Sequence, residues 1–188
     1  MDIKKRAPIP ETTPVIQENF KNYIPPKHTR SVVESLLLEV PAKYLTGLGI
    51  VVLTNSDNGN RKKRRQKTLS RGRKVAVKDC RGLYLQQWQG RDARIELFID
   101  NIVGYLPHWL LTVPFLRNLI FGQVLFHEIG HHIHYTCAPE YREREDVANS
   151  WGKKLGRSYI RRKYWYLIPL LFLISFATKP LRRNKDVQ

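Results

Sequence analysis

The sequence has little cysteine and no long hydrophobic run, and both shortages limit the kind of protein it encodes. Cys80 and Cys137 are the two cysteines among 188 residues, which is too few for a disulfide framework. The charged N-terminal residues are not followed by an apolar stretch, so we expect no secretory signal peptide and a reducing cytosol. With 42% apolar residues and no internal repeat, the chain can bury one sizeable core.

Acidic residues are also scarce, with 16 of them against 33 lysines and arginines, a net charge of +17. Residues 61–74 and 153–188 carry +9 each, whereas residues 75–152 sum to −2. Segment 61–74 repels itself and lacks apolar anchors, so we expect a mobile basic loop between two strands. Such a loop can bind the phosphates of nucleic acid or anionic lipid, and a solvated loop without a partner is an equal alternative. Because it contains no aromatic residue, stacking on bases is disfavoured.

The longest apolar stretch lies near the C-terminus. Residues 164–177 carry no charge and are flanked by lysines and arginines on both sides. A membrane-spanning helix needs about 20 apolar residues, so this stretch is short, and Pro169 weakens it further. Three alternatives stay open: a segment on an anionic membrane surface, a helix that packs on the core or forms an oligomer, and a true span.

The most informative motif is HExxH, which begins at His127. On a helix, His127 and His131 share a face, so both imidazoles can bind one divalent ion. Neutral imidazole is a good zinc ligand, and a catalytic zinc normally has three protein ligands and a water. Glu128 would then flank the metal as a general base that takes a proton from that water. The alternative is a buried helix that happens to carry histidines, so a third ligand is needed to decide.

Glu145 is the residue that we predict as the third ligand. It begins a helical pattern in which the small residues Ala148 and Gly152 recur at three- and four-residue spacing, which would let this helix approach the first closely. Asn149 shares the face of Glu145 and can accept a hydrogen bond from a metal-bound imidazole. Three other side chains compete for the role of third ligand: Glu143, Asp146 and His134. Among the remaining candidates, we expect His132 to be packed or at the surface and Cys137 to be a small buried thiol.

HEIGHH followed by E-x-x-A-N-x-W-G resembles the paired signatures of the gluzincin metallopeptidases, most closely the compact ImmA/IrrE-type proteins. The resemblance covers residues 82–155. It implies zinc ligation by His127, His131 and Glu145, with Glu128 as the general base. Trp151 and Gly152 depart from the usual Phe and Ala, which affects helix spacing more than chemistry. The helix-turn-helix domain frequent beside this peptidase domain has no counterpart in the sequence, so the regulatory role of some relatives does not transfer.

The predicted fold class is α+β, a zincin-like minimal metallopeptidase domain. A helix over 30–40 precedes three strands, over 49–54, 82–88 and 94–99, in a small mixed or antiparallel sheet. The HExxH helix follows, capped by Thr112 and begun by Pro114, and the Glu145 helix comes after it. By analogy with zincins, the stretch 93–99 would line the cleft. The domain boundaries are an extended arm over 1–26, the peptidase domain over 27–157 with its basic loop, and a basic, hydrophobic segment over 158–188.

The sequence therefore predicts a zinc-dependent metallopeptidase that cleaves protein or peptide substrates in the cytoplasm. The competing interpretation is a proteolytically silent zinc-binding sensor or adaptor, which associates with nucleic acid or with the periphery of an anionic membrane through the basic segments. We also expect a side chain that stabilises the oxyanion that develops during peptide hydrolysis. Tyr135, Tyr141 and His108 are its candidates, and none is distinguished by spacing. The oligomeric state and the substrate stay open.

Overall fold

The computed structural model of the chain describes residues 13–58, 67–70, 73–76, 79–104, 106–137 and 144–167. The chain forms two compact units, residues 1–156 and residues 157–188. Residues 61–66, 71 and 72 of the basic stretch lie outside the described residues, and so do residues 168–177 of the apolar stretch.

A small mixed sheet forms the centre of the first unit. The strands are β1 (Val15–Asn19), β2 (Leu48–Thr54), β3 (Lys67–Ser70), β4 (Arg73–Ala76), β5 (Gly82–Leu85) and β6 (Ala93–Phe98). Four of them form one sheet in the order β1-β2-β6-β5. In it β1, β2 and β6 are parallel, and β5 runs antiparallel to β6. The fold class is therefore α+β, as expected. Within the segment 1–26, which was expected to be an extended arm, Val15–Asn19 pair with β2 as the strand β1, and the sequence did not predict this pairing.

The helices are α1 (Thr29–Leu38), α2 (Ile99–Val103), α3 (His108–Thr112), α4 (Pro114–Thr136) and α5 (Arg144–Lys163). β2 and β6 are the central strands and are mostly buried along their length, and Leu53 and Ile95 are fully buried. The apolar stripe of α1 is buried as predicted, and α4 contributes Leu125 and Ile129. Because α4 packs against α1, β5 and β6, the sheet fixes the helix that carries the HExxH motif.

Two expectations about local structure were wrong. Thr112 does not cap the long helix: its hydroxyl donates to the Trp109 carbonyl, and Val113 stands at the N-cap without a side-chain hydrogen bond. Pro114 does begin that helix. Cys137 is exposed, with its thiol directed at the Lys43 carbonyl oxygen 3.3 Å away, and Cys80 is the buried cysteine. Cys137 follows the last turn of α4, where the helix leaves the core.

The basic stretch expected to be a mobile loop contains ordered pairing. Within it and just beyond its end, β3 and β4 pair as an antiparallel hairpin in which Thr68 is the register partner of Val75. Both residues are β-branched, which favours extended structure despite the surrounding charge. The prediction of a mobile loop was based on the repulsion between the cations and did not include the strand propensity of these two residues.

The strand expected to line the cleft is not at an edge. β6 pairs with β2 on one side and with β5 on the other, so its backbone hydrogen-bonds to a neighbouring strand on both sides. Among the strands that the structure describes, β5 lies at this edge of the sheet. Alternation of apolar and polar residues marks a strand in a sequence, but the order of strands in a sheet depends on long-range pairing.

Candidate metal centre

Helix α4 carries the two histidines of the HExxH motif on one face, as their spacing predicts. The ring centroids of His127 and His131 lie 4.9 Å apart, and both side chains are half-buried. One turn of helix separates them, so each ring can direct a nitrogen to the same point. The flank on which these nitrogens converge is the one that α5 approaches.

Helix α5 brings Glu145 to both imidazoles. Its carboxylate oxygens lie 3.7 Å from Nε2 of His127 and 3.5 Å from Nε2 of His131. These distances exceed the 2.7–2.9 Å of a charge-assisted hydrogen bond. In a tetrahedral site with metal–ligand distances of about 2.0–2.1 Å, two ligand atoms stand about 3.4 Å apart. The spacing therefore fits a small cation shared by the three residues, and one potential ligand atom from each lies within 4.8 Å of the others.

Small residues permit this approach of the two helices. A Cβ atom on Gly130 of α4 would lie 2.5 Å from the Ala148 carbonyl oxygen of α5, so no larger residue fits without a shift. Further along, a Cβ atom on Gly152 would lie 3.3 Å from the Cα atom of His127. The predicted close approach at Ala148 and Gly152 is confirmed. Gly130, which lies inside the HExxH motif itself, is the partner that the sequence analysis missed.

The protonation state of His131 suits a metal ligand. Burial, with smaller contributions from His127, His134 and Arg144, lowers the pKa of His131 to about 4. At neutral pH this imidazole is therefore uncharged, which is the form that binds a metal. Two imidazole nitrogens and one carboxylate make a donor set that zinc favours, because imidazole suits zinc better than it suits magnesium or calcium.

Glu128 lies beside this group and is buried, with 6% of its surface exposed. Its carboxylate rests on the backbone of β5, since a Cβ atom on Gly82 would lie 2.5 Å from Glu128 Oε1. Burial and then the charge of Glu145 raise the pKa of Glu128 to about 8, although a hydrogen bond from the Tyr84 backbone N–H lowers it. A carboxyl group with a pKa of about 8 is mostly protonated at neutral pH, and a cation bound beside it would favour the ionised form that accepts a proton.

Tyr84 and His132 form a second link between β5 and α4, and sequence reasoning missed it. His132 is fully buried, and burial lowers its pKa, so the ring is neutral. Its Nε2 lies 3.0 Å from the Thr46 carbonyl and therefore donates, while Nδ1 accepts from the Tyr84 hydroxyl at 3.2 Å. Burial is the main reason that the pKa of Tyr84 rises to about 12, which keeps the phenol a donor. The pair of consecutive histidines, His131 and His132, was the feature of the sequence that could have indicated this link.

The other predicted residues have varied positions. Asn149 is half-buried and follows Glu145 by one turn of α5. His134 is buried, with no partner for Nδ1 among the described atoms. Asp146 is exposed. Tyr135 stacks on Tyr84 at 5.7 Å. Three candidates lie outside what is described: Glu143, Tyr141 and the side chain of His108.

Comparisons of the chain with protein-family models, curated proteins and solved structures find no match. The assignment of a function therefore rests on the geometry of the metal centre and its surroundings.

Proposed function

We propose that the chain is a zinc-dependent metallopeptidase in which His127, His131 and Glu145 hold the metal and Glu128 is the general base. The single observation that carries the proposal is the convergence of Glu145 on both imidazoles at 3.5 and 3.7 Å, with a buried carboxyl group next to them. If the two histidines were on a core helix by chance, there would be no reason for a carboxylate of a second helix to lie at metal-ligand spacing from both. The resemblance to the gluzincin signatures points the same way.

Zinc in such a site acts as a Lewis acid that polarises a carbonyl group and lowers the pKa of water. Glu128 would then accept a proton from the attacking water at its carboxylate and pass it to the leaving amine nitrogen. Its burial supports this role, because a water-poor pocket strengthens each electrostatic interaction within it. The hydrogen bond from the Tyr84 backbone N–H holds the carboxylate in one orientation.

The position of β5 supports a peptide as the substrate. β5 is an edge strand, and Glu128 packs against its backbone at Gly82. An edge strand offers unpaired backbone groups to an extended chain, and such pairing positions a peptide bond without reading its side chains. A peptide paired with β5 would run past Glu128 and the metal ligands. The proposed substrate is accordingly a protein or peptide segment in extended conformation.

The decisive experiment separates catalysis from metal binding. Glu128→Gln keeps the volume of the side chain but cannot accept the proton, so we expect one zinc per chain by elemental analysis and loss of cleavage by about 100-fold or more. Casein and a library of quenched fluorescent peptides are the substrates to use. A purified wild-type chain that binds zinc but cleaves neither would overturn the enzyme proposal in favour of a silent zinc-binding module.

The ligand set is tested with a neighbouring pair of carboxylates. Glu145→Gln and His131→Ala should each lower the zinc content of the purified chain well below one equivalent, because two protein ligands bind far more weakly than three. Asp146→Asn is the matched control: this residue is adjacent in the sequence and exposed, and its variant should keep both zinc and activity. Full zinc occupancy in Glu145→Gln would exclude the proposed centre.

A further inference from the structure

The second unit begins with a cluster of positive charge. Arg157, Arg161, Arg162 and Lys163 are all exposed on the last turns of α5, and we call them the terminal basic cluster. No acidic residue occurs between Asp146 and Asp186, an interval that contains ten lysines and arginines. This part of the chain therefore concentrates positive charge, which attracts anions.

Two large aromatic side chains are exposed directly after the cluster. Trp165 and Tyr166 keep 67% and 57% of their surface exposed. The preceding residue, Tyr164, is buried, and its ring meets that of Tyr159 edge-on at 5.7 Å. The Tyr164 backbone N–H also donates to the Ile160 carbonyl at 2.8 Å, so the turn is held to the helix while the next two rings extend outward.

We propose that the terminal basic cluster, with Trp165 and Tyr166, binds the surface of an anionic lipid bilayer. Indole and phenol rings favour the boundary between headgroups and acyl chains, where an apolar body and a polar tip are both accommodated. Each cation close to an anionic bilayer adds to the attraction. The sequence continues after Leu167 with residues 168–177, which carry no charge. An uncharged apolar continuation matches a lipid surface and has no counterpart on a nucleic-acid backbone.

The terminal basic cluster shares no residue with the metal centre. The terminal basic cluster lies in residues 157–188, whereas every proposed metal ligand lies in residues 1–156. No helix among the residues that the structure describes is long and apolar enough to cross a bilayer. The proposed mode is peripheral attachment, in which the cluster meets headgroups and the two rings enter the interface.

The first test is co-sedimentation of the full chain with vesicles. Vesicles of equal parts phosphatidylcholine and phosphatidylglycerol should bind the chain at moderate salt, and vesicles of phosphatidylcholine alone should bind it at least about tenfold more weakly. Replacing all four residues of the terminal basic cluster by Gln should lower the affinity for anionic vesicles at least about tenfold. The matched control is a chain with four exposed cations of the first unit replaced by Gln: Lys21, Lys27, Arg81 and Arg91.

Tryptophan fluorescence tests the aromatic contribution. Binding to anionic vesicles should shift the emission of the wild-type chain to shorter wavelength, since an indole leaves water. Trp165→Phe should lose most of this shift, whereas Trp88→Phe should keep it, because Trp88 is equally exposed at 66% but lies in the first unit.

Three results would overturn the proposal. The first is equal binding to vesicles with and without anionic lipid. The second is unchanged vesicle affinity of the cluster variant, which would move the binding to other basic segments. The third is a cluster variant that loses affinity for a short DNA duplex but not for vesicles, which would identify the partner as nucleic acid. Catalytic activity enters none of these measurements, so failure of the metallopeptidase proposal would leave this one standing.

Discussion

At the scale of single residues, the metal centre depends on the protonation and hydrogen bonding of buried side chains. The four-residue spacing in the sequence predicted that two imidazoles share one helix face. The structure shows in addition how the side chains next to them are protonated and hydrogen-bonded. His132 is the clearest example, because the residue next to a proposed ligand turns away and links α4 to the Tyr84 hydroxyl and the Thr46 carbonyl. Its hydrogen bonds fix one tautomer and use both ring nitrogens.

Tyr84→Phe tests this link. The substitution removes the hydroxyl and leaves Nδ1 of the buried His132 without its donor, so we expect the free energy of unfolding to fall by about 1–3 kcal/mol. Tyr44→Phe is the control, because Tyr44 is a half-buried tyrosine whose ring packs on Trp151 at 5.2 Å. It should change stability by less than about 0.5 kcal/mol. Equal urea midpoints for the two variants would mean that the hydroxyl contributes nothing.

At the scale of elements, the site is a crossing of two helices next to an edge strand. Helix α4 supplies three of the proposed functional residues, and α5 supplies one carboxylate across the contact of Gly130 with Ala148. The distance between the helices sets the distance from Glu145 to the imidazoles. A change at the crossing should therefore alter metal binding without altering any ligand.

Gly130→Ala tests the crossing. The added methyl group would lie 2.5 Å from a backbone carbonyl oxygen, so the helices must separate, and we expect a loss of about 1–3 kcal/mol in stability together with weaker zinc binding. Gly156→Ala is the control on α5, since its Cβ would lie 3.9 Å from the nearest atom, a Phe126 ring carbon. Alanine is also the better helix former, so this variant should be neutral or up to about 1 kcal/mol more stable. Thermal unfolding and zinc titration measure both effects, and unchanged zinc affinity in Gly130→Ala would contradict the role of the crossing.

At the scale of the whole molecule, the buried ionisable groups make the stability of the metal-free protein depend on pH. The pKa of Glu128 is raised to about 8 by burial first, so between pH 4.5 and 8 the folded chain keeps a proton that the unfolded chain releases. This contribution to stability is complete below pH 4.5 and is lost as the pH rises to about 8. His131 acts in the opposite direction, because its pKa is lowered to about 4, so protonation of the unfolded chain reduces stability as the pH falls below 6.5.

A comparison of the wild type with Glu128→Gln isolates the first of these effects. Both chains contain His131, so its contribution cancels in the difference. We expect Glu128→Gln to gain stability relative to the wild type as the pH rises from 4.5 to 8, by an amount on the order of a few kcal/mol. Urea unfolding after treatment with a chelator gives the measurement. A difference in unfolding free energy that stays constant across this range would show that the Glu128 carboxyl group ionises normally in the folded chain.

Local patterns in the sequence predicted the features that depend on neighbours along the chain. The helix period predicted α1 and α5, and the four-residue spacing predicted the shared face of His127 and His131. A β-branched run predicted β2, and alternation of apolar and polar residues predicted β5 and β6. The second motif singled out Glu145 before its position was known. In each case the residues that form the pattern lie within about ten positions of one another. Over this distance the geometry of a helix or strand determines which side chains share a face.

Features that depend on distant segments could not be obtained in this way. Strand order made β5, and not β6, the edge beside Glu128, and the burial of Cys80 instead of Cys137 followed from packing. The hydrogen-bond partners of His132, the Tyr84 hydroxyl and the Thr46 carbonyl, lie 48 and 86 positions away in the sequence. Composition and spacing by themselves determined which residues could bind a metal, because donor chemistry is local. Tertiary structure alone decided that His127, His131 and Glu145 meet, since only close packing of α4 against α5 brings their ligand atoms within 4.8 Å.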